Sequence, residues 1–251
     1  MKISIDWLKD YIALDMSDMQ VIDTLNRVGM LVDEWSEFEG DTILELETYA
    51  NRPDTLGHLG VARELGAALG KRVKLPDISI VENDKQIAEH FDIQIVDESL
   101  CPRYCGKIVS GIDVGPSPKW LQKRLRSLGL NPVNNVVDVT NYVLFATSQP
   151  IHAFDLAKLK GGRIFVRRAK RGEGLRTLEG RDVTLSQDML VIADEKDPVA
   201  LAGVIGGEES AVSEDTRDIL IESAYFDPVS VRQTWKTAGV QTDASYRFER
   251  G

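Results

Sequence analysis

Only three histidines are available for acid–base chemistry in this sequence of 251 residues, so the setting of each carries weight. His58 and His90 stand in helix-like, charge-flanked stretches and read as solvated surface residues. His152 follows Gln149-Pro150, shortly after Thr140-Asn141-Tyr142, in a stretch dense with hydrogen-bonding side chains. An imidazole there is either a satisfied structural group or one that handles a proton. Glu222 sits in the nearly apolar run Ile219-Leu220-Ile221-Glu222-Ser223-Ala224. A carboxylate desolvated in that way is either bonded inside the fold or reserved for a ligand. The segment Leu201-Ala202-Gly203-Val204-Ile205-Gly206-Gly207-Glu208 lets the backbone approach a ligand or another strand closely, because glycine has no Cβ. It lacks the G-x-G-x-x-G spacing, which favours a tight turn inside a sheet over a phosphate loop.

Other chemistry is constrained by what is missing. The sequence holds no G-x-x-x-x-G-K-[ST] loop, no G-x-S-x-G elbow and no H-E-x-x-H pair, which argues against ATP-driven, serine-nucleophile or zincin chemistry in this chain. Cys101 and Cys105 form a lone C-x-x-x-C without a nearby histidine, short of the four ligands of a structural zinc, so two reduced thiols and no metal are expected. With 30 Lys+Arg against 40 Asp+Glu, the formal net charge is -10. Polyanions are repelled overall, and any nucleic-acid contact must be local. Lys119/Lys123/Arg124/Arg126 and Arg163/Arg167/Arg168/Lys170/Arg171 are the two local exceptions, as phosphate contacts or as solvated faces. The composition, 43% hydrophobic and 28% charged, is that of a globular chain of one or two domains. No apolar run approaches the roughly 20 residues of a membrane span, and the N-terminus has no signal-peptide core, so a cytoplasmic protein without membrane contact is expected.

Elements must position these groups. Residues 2–5 read as a strand, with Asp6 capping a helix that starts at Trp7. Ser17 caps a second helix, whose Met19, Val21, Ile22 and Leu25 fall at helical spacing and which closes at Gly29. A strand over 43–47 ends in the turn Asn51-Arg52-Pro53-Asp54, and a helix runs from His58 to Leu69 and stops at Gly70. These predict an α+β unit over residues 1–75, a boundary in the irregular stretch 76–86, and a second domain over 76–251. Strands are expected at 91–96, 103–109, 163–168, 189–193 and 219–222, with a hairpin turn at Gly180-Arg181. Helices are expected from Pro116-Ser117-Pro118, with Ser117 as cap, to Gly129, over 135–147, and from Asp227-Pro228 to Gly239. Strands and helices do not alternate regularly, which predicts an α+β fold.

Ordered motifs then converge on one family. Asn135-Val136-Val137-Asp138-Val139-Thr140-Asn141-Tyr142-Val143, Gln149-Pro150-Ile151-His152-Ala153-Phe154-Asp155, Leu201-Ala202-Gly203 through Gly207, Thr242-Asp243-Ala244-Ser245 and Arg247-Phe248-Glu249-Arg250-Gly251 resemble the β subunit of bacterial phenylalanyl-tRNA synthetase. Ile5-Asp6-Trp7-Leu8-Lys9, Asn51-Arg52-Pro53-Asp54 and Gly60-Val61-Ala62-Arg63-Glu64 extend the resemblance to the N-terminal part. It implies a small B1-like first domain and a larger mixed α/β editing domain of B3/B4 type, in which tyrosine wrongly esterified to the phenylalanine tRNA is hydrolysed. It further implies that His152, Thr140 and Asn141 place the ester and the attacking water. Glu222 and the backbone near Gly203 would read the phenol, with Pro150, Gly206 and Ala244 completing the pocket. The implied partners are the phenylalanine tRNA and the α subunit of an α2β2 assembly. ATP and Mg2+ belong to that α subunit, and no cofactor is implied in this chain. Family members commonly carry His-Gly where Ala238-Gly239 stands and often His at Tyr246, and many insert an OB-type tRNA-binding domain that residues 37–45 bypass. The chain stops at Arg250-Gly251, inside a motif that leads in the family into further domains, so a trimmed piece and a natural stand-alone protein are both open. A non-catalytic module that binds tRNA or the α subunit is the alternative function.

Overall fold

The computed structural model describes residues 1–89 and 91–251, so the expectation for His90 lies outside the described residues. In chain order the elements are β1 (Lys2–Ser4), α1 (Ile5–Leu8), α2 (Asp18–Arg27), β2 (Val32–Phe38), β3 (Asp41–Leu46), α3 (His58–Leu69), β4 (Asp92–Ile95) and β5 (Arg103–Ser110). Two helices follow, α4 (Lys119–Ser127) and α5 (Asn135–Thr147). Then come β6 (Ile151–Asp155), β7 (Arg163–Arg168), β8 (Gly174–Arg176), β9 (Asp182–Thr184), β10 (Leu190–Ala193), β11 (Pro198–Leu201), β12 (Ile205–Gly206) and β13 (Asp218–Tyr225). The helices α6 (Pro228–Ala238) and α7 (Asp243–Phe248) come last. The fold is α+β, as expected: strands pair antiparallel except β4 with β7, the one parallel pair among the described residues.

Two units interleave along the chain, Met1–Glu82 with Pro116–Ser148 and Asn83–Gly115 with Gln149–Gly251. α4 and α5 cluster with the N-terminal segment. The reason is apolar burial: Leu128, Leu144, Phe145 and Ala146 join Trp7, Leu8, Leu44, Val61 and Leu65 in one core. The strands of this unit form the sheet β1-β3-β2.

His58 corrects the expectation of a solvated residue. It is fully buried, its ring stacks on Trp7 with centroids 4.1 Å apart, and its Nε2 accepts the Ser4 N–H at 3.0 Å. Nδ1 lies 2.8 Å from the Phe145 carbonyl oxygen and must carry the proton that it donates there. Two caps also differ from expectation. Ser4, not Asp6, accepts the Trp7 N–H, and its hydroxyl donates to Asp41, while Asp6 pairs with Lys9 at 2.7 Å. Ser117 does not cap α4, because its hydroxyl donates to buried Asp138, which also accepts the Val133 N–H. Arg52 explains the motif around it: its guanidinium donates to both oxygens of Asp54, at 2.9 and 2.8 Å, and to Glu64 at 2.6 Å. Gly60 lets α3 dock on that turn, since a Cβ there would meet the Asp54 carbonyl oxygen at 1.8 Å.

The second unit holds the sheets β12-β11-β10-β7-β4 and β5-β13-β6, with the hairpin β8–β9. Phe154, Ile164, Val166, Val191, Leu201, Leu220 and Phe226 are among its core residues. β13 is the central strand of its sheet, which places Glu222 between two neighbours.

Candidate functional site

The pairing register decides what Glu222 meets. On one side it stands opposite His152 of β6, on the other opposite Gly106 of β5. Directly opposed residues project to the same face with Cβ atoms about 5 Å apart, so the imidazole and the carboxyl are neighbours. Tyr104, two residues before Gly106, reaches across the diagonal, and its hydroxyl donates to Glu222 Oε2 at 2.8 Å. The residue is 7% exposed, and burial pushes its carboxyl up to about 7 against the opposing pull of that hydrogen bond. Burial likewise holds His152 down to about 4, so its ring is neutral at physiological pH. Its Nε2 is buried and has no hydrogen-bond partner among the described residues. The ring meets Phe154 edge-on, with centroids 4.5 Å apart.

The second wall is a turn. β11 and β12 pair antiparallel with Leu201 opposite Ile205, so the Gly-rich segment is the tight turn within a sheet. Gly203 has φ +68, and a Cβ on it would come within about 3.1 Å of Phe226, Val231 and Phe248, so glycine is required twice over. A Cβ on Gly206 would stand 2.7 Å from His152 Cε1 and Nε2. α7 supplies the third wall. Thr242 caps it by accepting the Ser245 N–H at 3.1 Å, while its hydroxyl donates to the Val204 carbonyl at 2.7 Å. That second bond ties the helix to the turn, and Ala244 and Phe248, four residues apart, present one face.

Pro150, His152, Gly203, Gly206, Glu222 and Ala244 therefore line one pocket of about 70 Å³, together with apolar neighbours such as Leu201, Ile205 and Phe248. At roughly 10–15 Å³ per water this admits on the order of five waters, the scale of one small group rather than a peptide. Thr140 and Asn141 are not among its lining residues: they lie on α5 in the other unit, where the Thr140 hydroxyl donates to the Val137 carbonyl at 2.7 Å. Tyr104 was missed by sequence reasoning. The signal for it is only the alternation of Arg103–Ser110, which becomes informative once the β5–β13 pairing is known.

The pocket lining contains no Ser, Thr, Cys or Lys. Its chemistry is that of an acceptor carboxylate, an unpartnered neutral imidazole and backbone groups, suited to binding a hydroxylated group and orienting water rather than to covalent catalysis. Both thiols are free, Cys101 buried and Cys105 exposed, and burial pushes Cys101 up to about 12. No group of three or more His, Cys, Asp or Glu is placed to hold a metal ion among the described residues. The basic clusters are partly neutralised. Arg167 pairs with Glu173 at 2.7 Å, Arg168 with Asp97 at 2.8 Å and Arg124 with Asp10 at 2.6 Å. No helix of the described residues is long and apolar enough to cross a membrane.

Residues 100–251, the stretch that supplies every wall of this pocket, match the B3/4 domain, and the chain belongs to that family. Among curated proteins it is similar to phenylalanine–tRNA ligase β subunits. That of Bdellovibrio bacteriovorus is 45% identical over 224 residues, 89% of this chain and 27% of the relative. That of Geobacter metallireducens is 47% identical over 211 residues, 84% and 26% respectively, and that of Rhodopirellula baltica 40% over 250 residues, 100% and 37%. The chain thus spans about a third or less of most such relatives. A crystal structure of an N-terminal fragment of the phenylalanyl-tRNA synthetase β subunit from Pyrococcus horikoshii shares the fold at 18% identity and TM-score 0.50, over 96% of this chain and 74% of that one.

Proposed function

We propose that this chain is the N-terminal portion of a phenylalanine–tRNA ligase β subunit and that its pocket hydrolyses tyrosine wrongly esterified to the phenylalanine tRNA. The observation that carries this is a buried carboxylate with one unbonded oxygen in an otherwise apolar pocket, opposite an unpartnered imidazole. An apolar synthetic site rejects an added hydroxyl only about a hundredfold in the valine/threonine case, so accuracy calls for a second site. Glu222 accepts the phenol proton of tyrosine; phenylalanine leaves the carboxylate desolvated, at a cost of about 1–3 kcal/mol. Water then attacks the ester carbonyl, the bond to the ribose oxygen breaks, and that oxygen takes up a proton. His152 orients the water, and the backbone near Gly203 reads the phenol together with Glu222. The family resemblance implies the same positioning task for Thr140 and Asn141, and Asn141→Ala tests that part by itself.

In this reading residues 1–75 belong to a B1-like domain without the OB-type insertion, and the editing domain lies within residues 76–251. The partners are the phenylalanine tRNA and the α subunit, which takes ATP and Mg2+, and the setting is cytoplasmic. The test is tyrosine release from tyrosyl-tRNA(Phe), with phenylalanyl-tRNA(Phe) as control. Selective release that falls at least tenfold in His152→Ala, and a loss of tyrosine preference in Glu222→Ala, are expected. Unchanged discrimination in Glu222→Ala would sink its role. A second reading, a module that binds the aminoacyl end without cleaving it, is favoured by the commitment of the Thr140 hydroxyl to its own helix. Binding of tyrosyl-tRNA(Phe) with no release would establish it.

A further inference from the structure

The Tyr104 hydroxyl, which touches Glu222, has no task in the hydrolysis proposed above. Glu222 has two carboxyl oxygens, and only Oε2 is bonded, to the Tyr104 hydroxyl. Tyr104 is not among the pocket's lining residues, so the bond is made from behind the wall. Oε1 has no hydrogen-bond partner among the described residues and belongs to the residue that does line the pocket. Gly106, directly opposite Glu222 on β5, has no side chain to offer, and Tyr104 is the β5 residue that donates a hydrogen bond to the carboxyl. We propose that Tyr104 is a positioning residue for specificity: its phenol clamps Oε2 so that Oε1 is the single acceptor presented to a ligand hydroxyl. This rests on the proposed reading of the pocket.

Two consequences follow from the chemistry of a carboxyl held by one donor. Rotation of the carboxyl about its last bond would otherwise exchange the two oxygens, and a clamped oxygen fixes where a ligand's O–H must sit. Donation to the ionised form also stabilises that form, so the hydrogen bond keeps Glu222 an acceptor closer to neutral pH than burial alone allows. Tyr104 can only donate in this role, because burial and the adjacent carboxylate raise its own titration well above the ordinary tyrosine range. The other titratable groups near Glu222 are His152 from β6 and Cys101 ahead of β5. Burial holds the first at about 4 and the second at about 12, so neither changes charge near neutrality. The turn and α7 contribute no titratable group to the pocket lining.

Tyr104→Phe keeps the ring and removes only the donor. Two readouts on the full chain decide its role, each with Glu222→Gln as the reference. The first is a carbon NMR titration of the side-chain carboxyls, in which the Glu222 signal is the one absent from Glu222→Gln. The second is the ratio of tyrosine to phenylalanine release from the two aminoacyl-tRNAs between pH 6 and 8.5. In Tyr104→Phe the Glu222 midpoint is expected to move up by about one pH unit, the loss of one hydrogen bond to a charged group. The rise of the release ratio with pH should move with it, so that preference is reduced severalfold at pH 7 and recovers towards pH 8.5. A simple packing role would lower thermal stability and displace neither curve. Parent-like curves in Tyr104→Phe would overturn the inference, as would a displaced carboxyl with an unmoved release ratio. A parent chain without tyrosine preference would overturn the proposed function instead, and the carboxyl titration would still decide whether Tyr104 holds Glu222.

Discussion

Glu222 and His152 face each other across two strands, and their titrations act on stability with opposite signs. Glu222 titrates at about 7 in the fold against an ordinary 4.5, so between those values the folded chain keeps a proton that the unfolded chain has released. Stability therefore falls as pH rises through that window, by up to about 3 kcal/mol. His152 titrates at about 4 against 6.5, so between those values the unfolded chain holds a proton that the folded one has shed. Stability then rises with pH from 4 to 6.5 by a similar amount, about 3 kcal/mol. The two nearly cancel from pH 4.5 to 6.5. Glu222→Gln removes the falling contribution, and urea unfolding of that variant should show stability climbing by about 2–3 kcal/mol more than in the parent across pH 4.5 to 6.5. A variant whose pH profile parallels that of the parent would refute the assignment of Glu222 as a proton carrier in the fold.

α7 is six residues long, too short to be stable by its own hydrogen bonds, so its position depends on its cap and its packing. Thr242→Val removes both the cap and the bond to the Val204 carbonyl. It should cost about 1–2 kcal/mol in chemical denaturation and weaken tyrosine release through displaced Ala244 and Phe248, while Thr242→Ser restores both. A fully active, fully stable Thr242→Val would show that the turn does not depend on that tie. The same shortness explains what was legible in the sequence. Long segments such as 58–69, which stops at Gly70, and 135–147 were readable, because twelve and thirteen residues are long enough for several helical turns. β6, β12 and α7 were not, since five, two and six residues carry no period, and their conformation is imposed by β13, β11 and Thr242 respectively. β2 escaped for another reason: Val32–Phe38 is mostly polar and exposed, an edge strand with little apolar alternation. Six of the eight expected site residues share the pocket, but it was family resemblance that singled them out as a set. Residue type alone marked His152, Glu222 and the Gly-rich turn without joining them, because the join is a strand register.

Across the molecule, the division into units cuts across the matched domain. Residues 100–251 include Leu128, which follows α4, and Leu144, Phe145 and Ala146 of α5, which share one core with Trp7, Leu8 and Leu65, and they omit β4, the parallel partner of β7. A fragment cut at residue 100 would expose Leu144 and Phe145 and leave the edge of β7 open. It should be less soluble than the full chain and unfold at lower temperature, a difference that calorimetry and sedimentation would register. Equal behaviour of the fragment would mean that the two helices find another cover. The same interleaving sets an order in time during synthesis. β5 emerges more than a hundred residues ahead of β13, its pairing partner. At roughly 5–20 residues per second it waits on the order of ten seconds with its edge unpaired. The first unit holds all its strands and helices once residue 148 has been made, whereas the pocket cannot exist until β13 and then α7 arrive, so the framework is complete before any specificity can be expressed.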